Sequence, residues 1–343
     1  MEREQRRSAD SIEVSNERGF GGVGVEVDRP IPVISLADDP AAVDAALWDA
    51  ASETGFFQVV DTGLDPAAVD DAFALAEAFF ALPESVKEPL RMPPGTNSGW
   101  EYRSQRRPST GTLDEKETYQ VTRTRMDELG LWPGEDDVVG FTETLLAFER
   151  ANWSLAMRIL GSFARGLGFD DDFFADAHDP ASAQYQSTLR LLHYLPLDGP
   201  IDEGTWRAGA HTDYDCLTLL HQRPGQSGLQ VCPGAEAAAR SGQPLRWTGV
   251  EPTAGTITCN IGDMLTRWSD DRLRSTLHRV KVPAGEDRTK PRYSIAFFAQ
   301  ANRDAVIEGP GGAYPPVTAA EFLQQRLAAN FAAADAGAGS TGD

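Results

Sequence analysis

Between residues 31 and 83 the apolar positions switch repeatedly between strand and helix spacing. Ile31–Leu36 is a short apolar run that predicts a strand. Asp39-Pro40 then supplies an N-cap followed by proline at the first helical position. Val43, Leu47 and Ala50 fall on one helical face, and Gly55 ends that helix. Phe56–Val60 predicts a second, buried strand. Asp65-Pro66 repeats the cap, and Val69, Phe73, Ala76 and Phe80 form the next helical stripe before Pro83.

Residues 136–168 predict one long helix, because Phe141, Leu145, Phe148, Leu155, Ile159 and Phe163 recur at helical spacing and Gly168 closes it. A stripe of this kind predicts core packing, not a cofactor box. From about residue 184 the pattern changes to short strands between Pro and Gly turns, which predicts an antiparallel sandwich or barrel. Ala319–Ala334 predicts a C-terminal helix. Residues 1–29 are polar and Gly-rich without a period and predict a mobile arm, and 335–343 predict a disordered tail. Residues 91–125 hold many Arg, Pro, Gly and Ser and predict a solvated loop. No stretch has the length or composition of a linker, so residues 30–334 are expected to form one domain: 30–183 mostly helical, 184–318 the strand-rich core, 319–334 the last helix.

Composition narrows the function classes. The 343 residues carry 31 Lys+Arg against 52 Asp+Glu, a formal charge of −21. Such a surface repels nucleic acid and anionic membrane, so neither is an expected partner. No apolar run reaches the length of a membrane span, and the charged start MEREQRRSAD lacks the apolar region of a signal peptide. Cys216, Cys232 and Cys259 have no CxxC spacing and leave one over, which fits a reducing cytoplasm.

The chemistry concentrates in His211-Thr212-Asp213-Tyr214-Asp215. Read as a strand, this stretch points His211 and Asp213 to the same side. His278, in Ser275–Val282, sits on a second predicted strand. Two imidazoles and one carboxylate with the remaining positions open are the ligand set of non-haem Fe(II) oxygenases. Further on, Arg292 and Ser294 share one face of a strand and can clamp a carboxylate through a guanidinium fork and a hydroxyl. Phe298 lies on that same face.

Together, HTDYD (211–215), STLHRV (275–280) and RYSIAFF (292–298) resemble the iron(II)- and 2-oxoglutarate-dependent oxygenases, in the branch similar to isopenicillin N synthase. The resemblance runs from Ile31 to the helix near Phe322. It implies an α+β fold with a double-stranded β-helix (jelly-roll, cupin-like) core, flanked by N-terminal helices and a long central helix. His211, Asp213 and His278 would then hold Fe(II) through Nε2, a carboxylate oxygen and Nε2. Arg292 and Ser294 would hold the far carboxylate of 2-oxoglutarate, with Tyr194 beside it, and O2 would take the last position. Tyr102, Arg103 and Tyr119, in the 91–125 segment, would border the substrate entrance, and Phe298 would close the pocket. The implied reaction releases succinate and CO2 and abstracts hydrogen with a ferryl, giving hydroxylation, desaturation or cyclisation of a small-molecule substrate. Arg103, Arg106 and Arg107 point to a polar or acidic metabolite, in specialised metabolism or amino-acid modification.

Three rivals share these residues. An isopenicillin N synthase-like or aminocyclopropanecarboxylate oxidase-like enzyme would use R-x-S for a different carboxylate. A binding module on the same barrel would have no need of an intact triad. A zinc hydrolase could use the triad but would leave Arg292 and Ser294 without a task. His178, His193 and His221 read as structural or surface histidines. Arg279 and Lys281 alternate away from His278 and are expected to face solvent or a helix. Gly262-Asp263-Met264 predicts a turn ahead of a strand carrying Trp268.

Overall fold

The computed structural model describes residues 24–104, 113–198, 205–233, 245–283 and 285–338. The predicted arm ends earlier than expected. Residues 1–23 lie outside the described residues, but β1 (Val25–Glu26) pairs in parallel with Arg246 and Trp247, so the stretch after Gly24 is strand. The opening then follows the sequence pattern: β2 (Val33–Ser35), α1 (Pro40–Glu53), β3 (Phe56–Val60) and α2 (Pro66–Phe80). The Asp39 carboxylate accepts from the Ala41 and Ala42 amides and that of Asp65 from Ala67, satisfying helix-end donors. The long helix α3 (Phe141–Leu167) buries every member of its predicted stripe and stops at Gly168 in the left-handed conformation, φ 82°.

The remaining strands are β4 (Gly99–Tyr102), β5 (Lys116–Val121), β6 (Thr188–Tyr194), β7 (Ala208–His211), β8 (Leu217–Gln222), β9 (Leu229–Cys232), β10 (Arg246–Gly249), β11 (Ile257–Ile261), β12 (Leu277–Val280) and β13 (Arg292–Ala299). A final small hairpin joins β14 (Val306–Ile307) to β15 (Val317–Thr318). The larger sheet has the order β2-β3-β11-β8-β13-β6-β5-β4, and the smaller has β1-β10-β9-β12-β7. Within the two sheets, all pairs except β2–β3 and β1–β10 are antiparallel.

Side-chain alternation gives the larger sheet two different faces. On one, Phe57, Tyr119, Leu191, Leu219 and Phe297 pack with α1, α2 and α3 in the main core. On the other, Phe56, Leu192, Tyr194 and Ala296 meet Ala208, Leu229, Val231 and Val280 of the smaller sheet. This is a double-stranded β-helix with helices on its outer face.

Four local expectations need correction. Residues 91–125 are not one solvated loop: β5 is buried along its whole length and joins the larger sheet between β4 and β6. Its composition misled because charged residues there are paired inside, as with Lys116 Nζ, 2.9 Å from an Asp114 oxygen. Trp268 ends a short helix, α4 (Asp263–Trp268), and is not on a strand. Arg279 does not face solvent; it is buried between the rings of Trp206 and Trp247, with Gln230 accepting from Nε. The last helix, α5 (Ala319–Ala338), runs four residues past the predicted boundary, and 339–343 lie outside the described residues.

Candidate metal centre

β7 and β12 are antiparallel neighbours in the smaller sheet, and their register sets His211 opposite His278. The two rings lie 4.3 Å apart between centroids. Asp213 is not on the strand with His211, as simple alternation predicts. It lies just after β7, in the connection to β8. Its Oδ1 is nonetheless 4.0 Å from His211 Nε2 and 3.7 Å from His278 Nε2, so three donor atoms converge on one point.

The ring orientations are fixed from behind. His211 Nδ1 donates to the Gly209 carbonyl at 2.7 Å, and His278 Nδ1 donates to that of Thr276 at 3.1 Å. With the proton on Nδ1, each Nε2 keeps a lone pair for a metal. Asp213 is oriented the same way. Its Oδ2 accepts from Thr218 Oγ1 at 2.7 Å and Asn260 Nδ2 at 2.8 Å, which leaves Oδ1 toward the histidines. Thr218 and Asn260 were missed in the sequence. Each lies on the inward parity of its strand, alternating with the apolar outward positions Leu217 and Leu219 of β8 and Ile257, Cys259 and Ile261 of β11, and that parity was the available signal.

The connection bearing Asp213 is held against the start of α4. The Asp263 amide donates to the Asp213 carbonyl at 2.8 Å, and the Met264 amide to that of Asp215 at 3.1 Å. Gly262 is required here, since a Cβ would sit 2.2 Å from the Asp215 carbonyl oxygen. Burial, and then the charge of Asp213, push the Asp215 carboxyl well above the usual range.

A second cluster lies along the same inner face. Arg292 is 1% exposed; its Nε donates to the Gln226 carbonyl at 2.9 Å and its guanidinium lies over the Tyr194 ring, 4.6 Å from the centroid. Arg292 Nη1 and Nη2 and Ser294 Oγ are buried and close no hydrogen bond of ordinary geometry among the described residues, the Tyr194 side chain lying against the guanidinium. Unmet donors of this kind are costly in a native interior unless a ligand supplies the acceptors. Arg207 lies nearby, its basicity lowered to about 10 by burial and by Arg292. Two guanidinia and a hydroxyl fit a carboxylate far better than a neutral group. Ser294 pairs with Gln222 and Phe298 with Thr218, so β8 leads from this cradle to the partner of Asp213, a step of about 13 Å along the strand.

The expected substrate contacts divide. Phe298 faces inward and is half-buried, with the Arg190 guanidinium 4.6 Å from its ring centroid. Tyr119 is fully buried on the helical face, against Phe79 and Phe141, with its hydroxyl on the Leu131 carbonyl at 2.6 Å. Tyr102 also turns to that outer face, beside Trp100. Neither tyrosine reaches the inner face, because both share the parity of β4 and β5 that points to the helices. Arg103 follows β4 and pairs with Glu115, and Arg106 and Arg107 lie outside the described residues. Sequence reading missed what occupies the inward parity: Glu101, Gln120 and Arg190. Arg190 Nε and Nη2 donate to Gln120 Oε1 at 3.0 and 2.6 Å, and Gln120 Nε2 donates to Glu101 at 3.1 Å. The other histidines are structural. His178 and His221 are buried, and His193 bonds Glu117 and stacks on Tyr293 on the helical side.

The sequence pattern of the 2OG-Fe(II) oxygenase superfamily matches residues 185–301, which hold the triad and the Arg292 cradle. That of the "non-haem dioxygenase in morphine synthesis N-terminal" region matches residues 31–135. The proline hydroxylase buaE of Petromyces alliaceus is 33% identical over 82% of this chain and 90% of its own. The chain belongs to the iron(II)- and 2-oxoglutarate-dependent oxygenases. Another member, the 2-oxoglutarate-dependent dioxygenase htyE of Aspergillus rugulosus, is 31% identical over 79% of this chain and 85% of its own. Among solved structures, a full-length Neurospora crassa protein in complex with alpha-KG superposes with a TM-score of 0.73 at 30% identity, over 87% of this chain and 96% of that one. The same Neurospora protein has been solved with alpha-KG and thymine. Fe(II), 2-oxoglutarate and O2 are the cofactor and co-substrates of this oxygenase family, and the donor set here fits them. Among the described residues no helix is long and apolar enough to cross a membrane.

Proposed function

We propose that His211 Nε2, Asp213 Oδ1 and His278 Nε2 hold Fe(II), and that Arg292 and Ser294 hold the far carboxylate of 2-oxoglutarate over Tyr194. The observation that carries this reading is the set of buried, unmet donors on Arg292 and Ser294, on the same sheet face as Thr218, which bonds Asp213. Bound there, iron, 2-oxoglutarate and O2 supply an oxidant for an unactivated C–H bond, with release of succinate and CO2. The chain's own part is geometric. The backbone carbonyls of Gly209 and Thr276 fix the histidine tautomers, and Thr218 and Asn260 aim Asp213.

On the substrate side, the inner-face residues Arg190 and Phe298 take the role expected of Tyr102 and Tyr119. Gln120 holds the Arg190 guanidinium across the Phe298 ring. A cation braced over an aromatic ring suits a small molecule with a carbonyl or carboxylate and an apolar part that lies toward the iron. The relative named for proline hydroxylation and the neighbour solved with thymine act on or bind molecules of that kind. Hydroxylation is the simplest outcome, with desaturation or ring closure open to the same site, in specialised metabolism. Three buried thiols, Cys216, Cys232 and Cys259, suit a cytoplasmic location.

The test is succinate release from 2-oxoglutarate across a panel of small amides, amino acids and cyclic imides, with wild type and Arg190→Met. A substrate that stimulates succinate release, with KM raised about tenfold or more in Arg190→Met and 2-oxoglutarate affinity unchanged, supports the reading. Equal KM values in the two proteins would remove Arg190 from the substrate site.

A further inference from the structure

The connection that carries Asp213 is gripped from a distant part of the chain. Arg326, on the C-terminal helix α5, places Nη2 2.6 Å from Asp263 Oδ2, and both side chains are almost fully buried, at 4% and 1% exposure. The same Asp263 oxygen accepts from Thr212 Oγ1 at 3.1 Å, and Thr212 stands between His211 and Asp213. The Asp263 amide holds the Asp213 carbonyl. The Arg326 guanidinium also lies over the ring of Tyr214, 5.0 Å from the centroid. One arginine from α5 thus meets residues on both sides of Asp213 in the chain, through a carboxylate and an aromatic face.

We propose that Arg326 is a positioning residue for the metal centre, and that its grip on Asp263 and Tyr214, not the packing of α5 as such, sets how tightly the protein holds its metal. The inference rests on the metal reading above. Three carboxyl groups crowd this connection: Asp213, Asp215 and Asp263. Arg326 is the buried cation that neutralises Asp263. Without it, a buried negative charge would stand unmatched directly behind the Asp213 carbonyl, and the connection would shift to hydrate it. Asp213 would then lose its alignment with His211 and His278, although no ligand had been altered. Partners that orient metal ligands commonly govern affinity by about 10–100-fold when removed. Lysine would keep the charge but could not both reach Asp263 and lie flat over Tyr214.

The experiment is an anaerobic Co(II) titration of the full chain, read by the visible ligand-field bands, for wild type, Arg326→Gln, Arg326→Lys and Phe322→Ala. Phe322 is buried on the same helix and serves as the packing control. Expected are an approximately 10–100-fold weaker Co(II) affinity with altered bands in Arg326→Gln, partial recovery in Arg326→Lys, and wild-type affinity in Phe322→Ala despite a lower Tm. If Arg326→Gln fails to fold, Arg326→Lys decides: weakened metal binding supports the proposal and wild-type binding overturns it. Wild-type affinity in Arg326→Gln, or an equal loss in Phe322→Ala, would also overturn it. Wild-type protein that takes up no Co(II) would instead remove the metal reading on which the proposal stands.

Discussion

His278 Nε2 stands 3.7 Å from Asp213 Oδ1, although His278 lies on β12 and Asp213 in the connection after β7. Two strands of the smaller sheet and the start of α4 are needed to bring these atoms together. Asp213→Ala should therefore abolish metal binding and turnover while leaving the circular dichroism spectrum intact. A folded Asp213→Ala protein that still turned over substrate would show that the metal lies elsewhere.

The Asp213 carboxylate has its own support. Asn260→Ala removes one of two donors to Oδ2 and leaves Oδ1 free to rotate away from the histidines. Metal affinity should fall about 10–100-fold. Calorimetric titration with Fe(II) under anaerobic conditions measures it, and an unchanged affinity would mean that Thr218 alone orients the ligand.

Arg292 is predicted to separate cosubstrate binding from metal binding. Arg292→Ala removes a buried cation matched to a carboxylate, a loss of about 2–5 kcal/mol, or roughly 30-fold to several thousand-fold in 2-oxoglutarate affinity. Fe(II) affinity should not change. If the variant kept wild-type cosubstrate affinity, Arg292 would serve another carboxylate, as in the rival oxidases.

Tyr119 belongs to the core, and its substitution should say so. Tyr119→Phe leaves the buried Leu131 carbonyl without its donor and should cost about 1–3 kcal/mol in denaturant unfolding. The KM for substrate and for 2-oxoglutarate should stay at wild type. A raised substrate KM with unchanged stability would restore Tyr119 to the substrate entrance.

Acid should weaken the fold through two buried imidazoles. Burial lowers both His178 and His221 from 6.5 to about 4. Between those values the unfolded chain binds protons that the native chain does not. Their contribution is complete above about pH 6.5 and is lost as pH falls toward 4, on the order of 3 kcal/mol for each. Urea midpoints at about pH 7 and about pH 5, on either side of the ordinary histidine value, measure the slope. His221→Gln should flatten it; an equal slope in wild type and variant would contradict the assignment.

Much of this was legible in the chain. Caps at Asp39 and Asp65 and the stripe from Phe141 to Phe163 depend on local chemistry and spacing, and the structure follows them. The triad was legible because ligand types are few and their grouping is unusual. The geometry of His211 and Asp213 was not, since strand alternation failed where the chain leaves β7. Composition hid β5, because the Asp114–Lys116 and Lys87–Glu117 pairs are buried charges that look solvated in a sequence. Tyr102 and Tyr119 were misplaced for a related reason. Which face of a sheet meets helices depends on pairing between strands far apart in sequence, as does the placing of Arg190 beside Phe298 and of Arg326 behind Asp213.

The most direct measurement is an anaerobic titration of the Fe(II)-loaded protein with 2-oxoglutarate, following the visible metal-to-ligand charge-transfer band. A saturable band is expected, absent in His211→Ala and needing far more 2-oxoglutarate in Arg292→Ala. Iron binding with no band at any 2-oxoglutarate concentration would contradict the 2-oxoglutarate assignment.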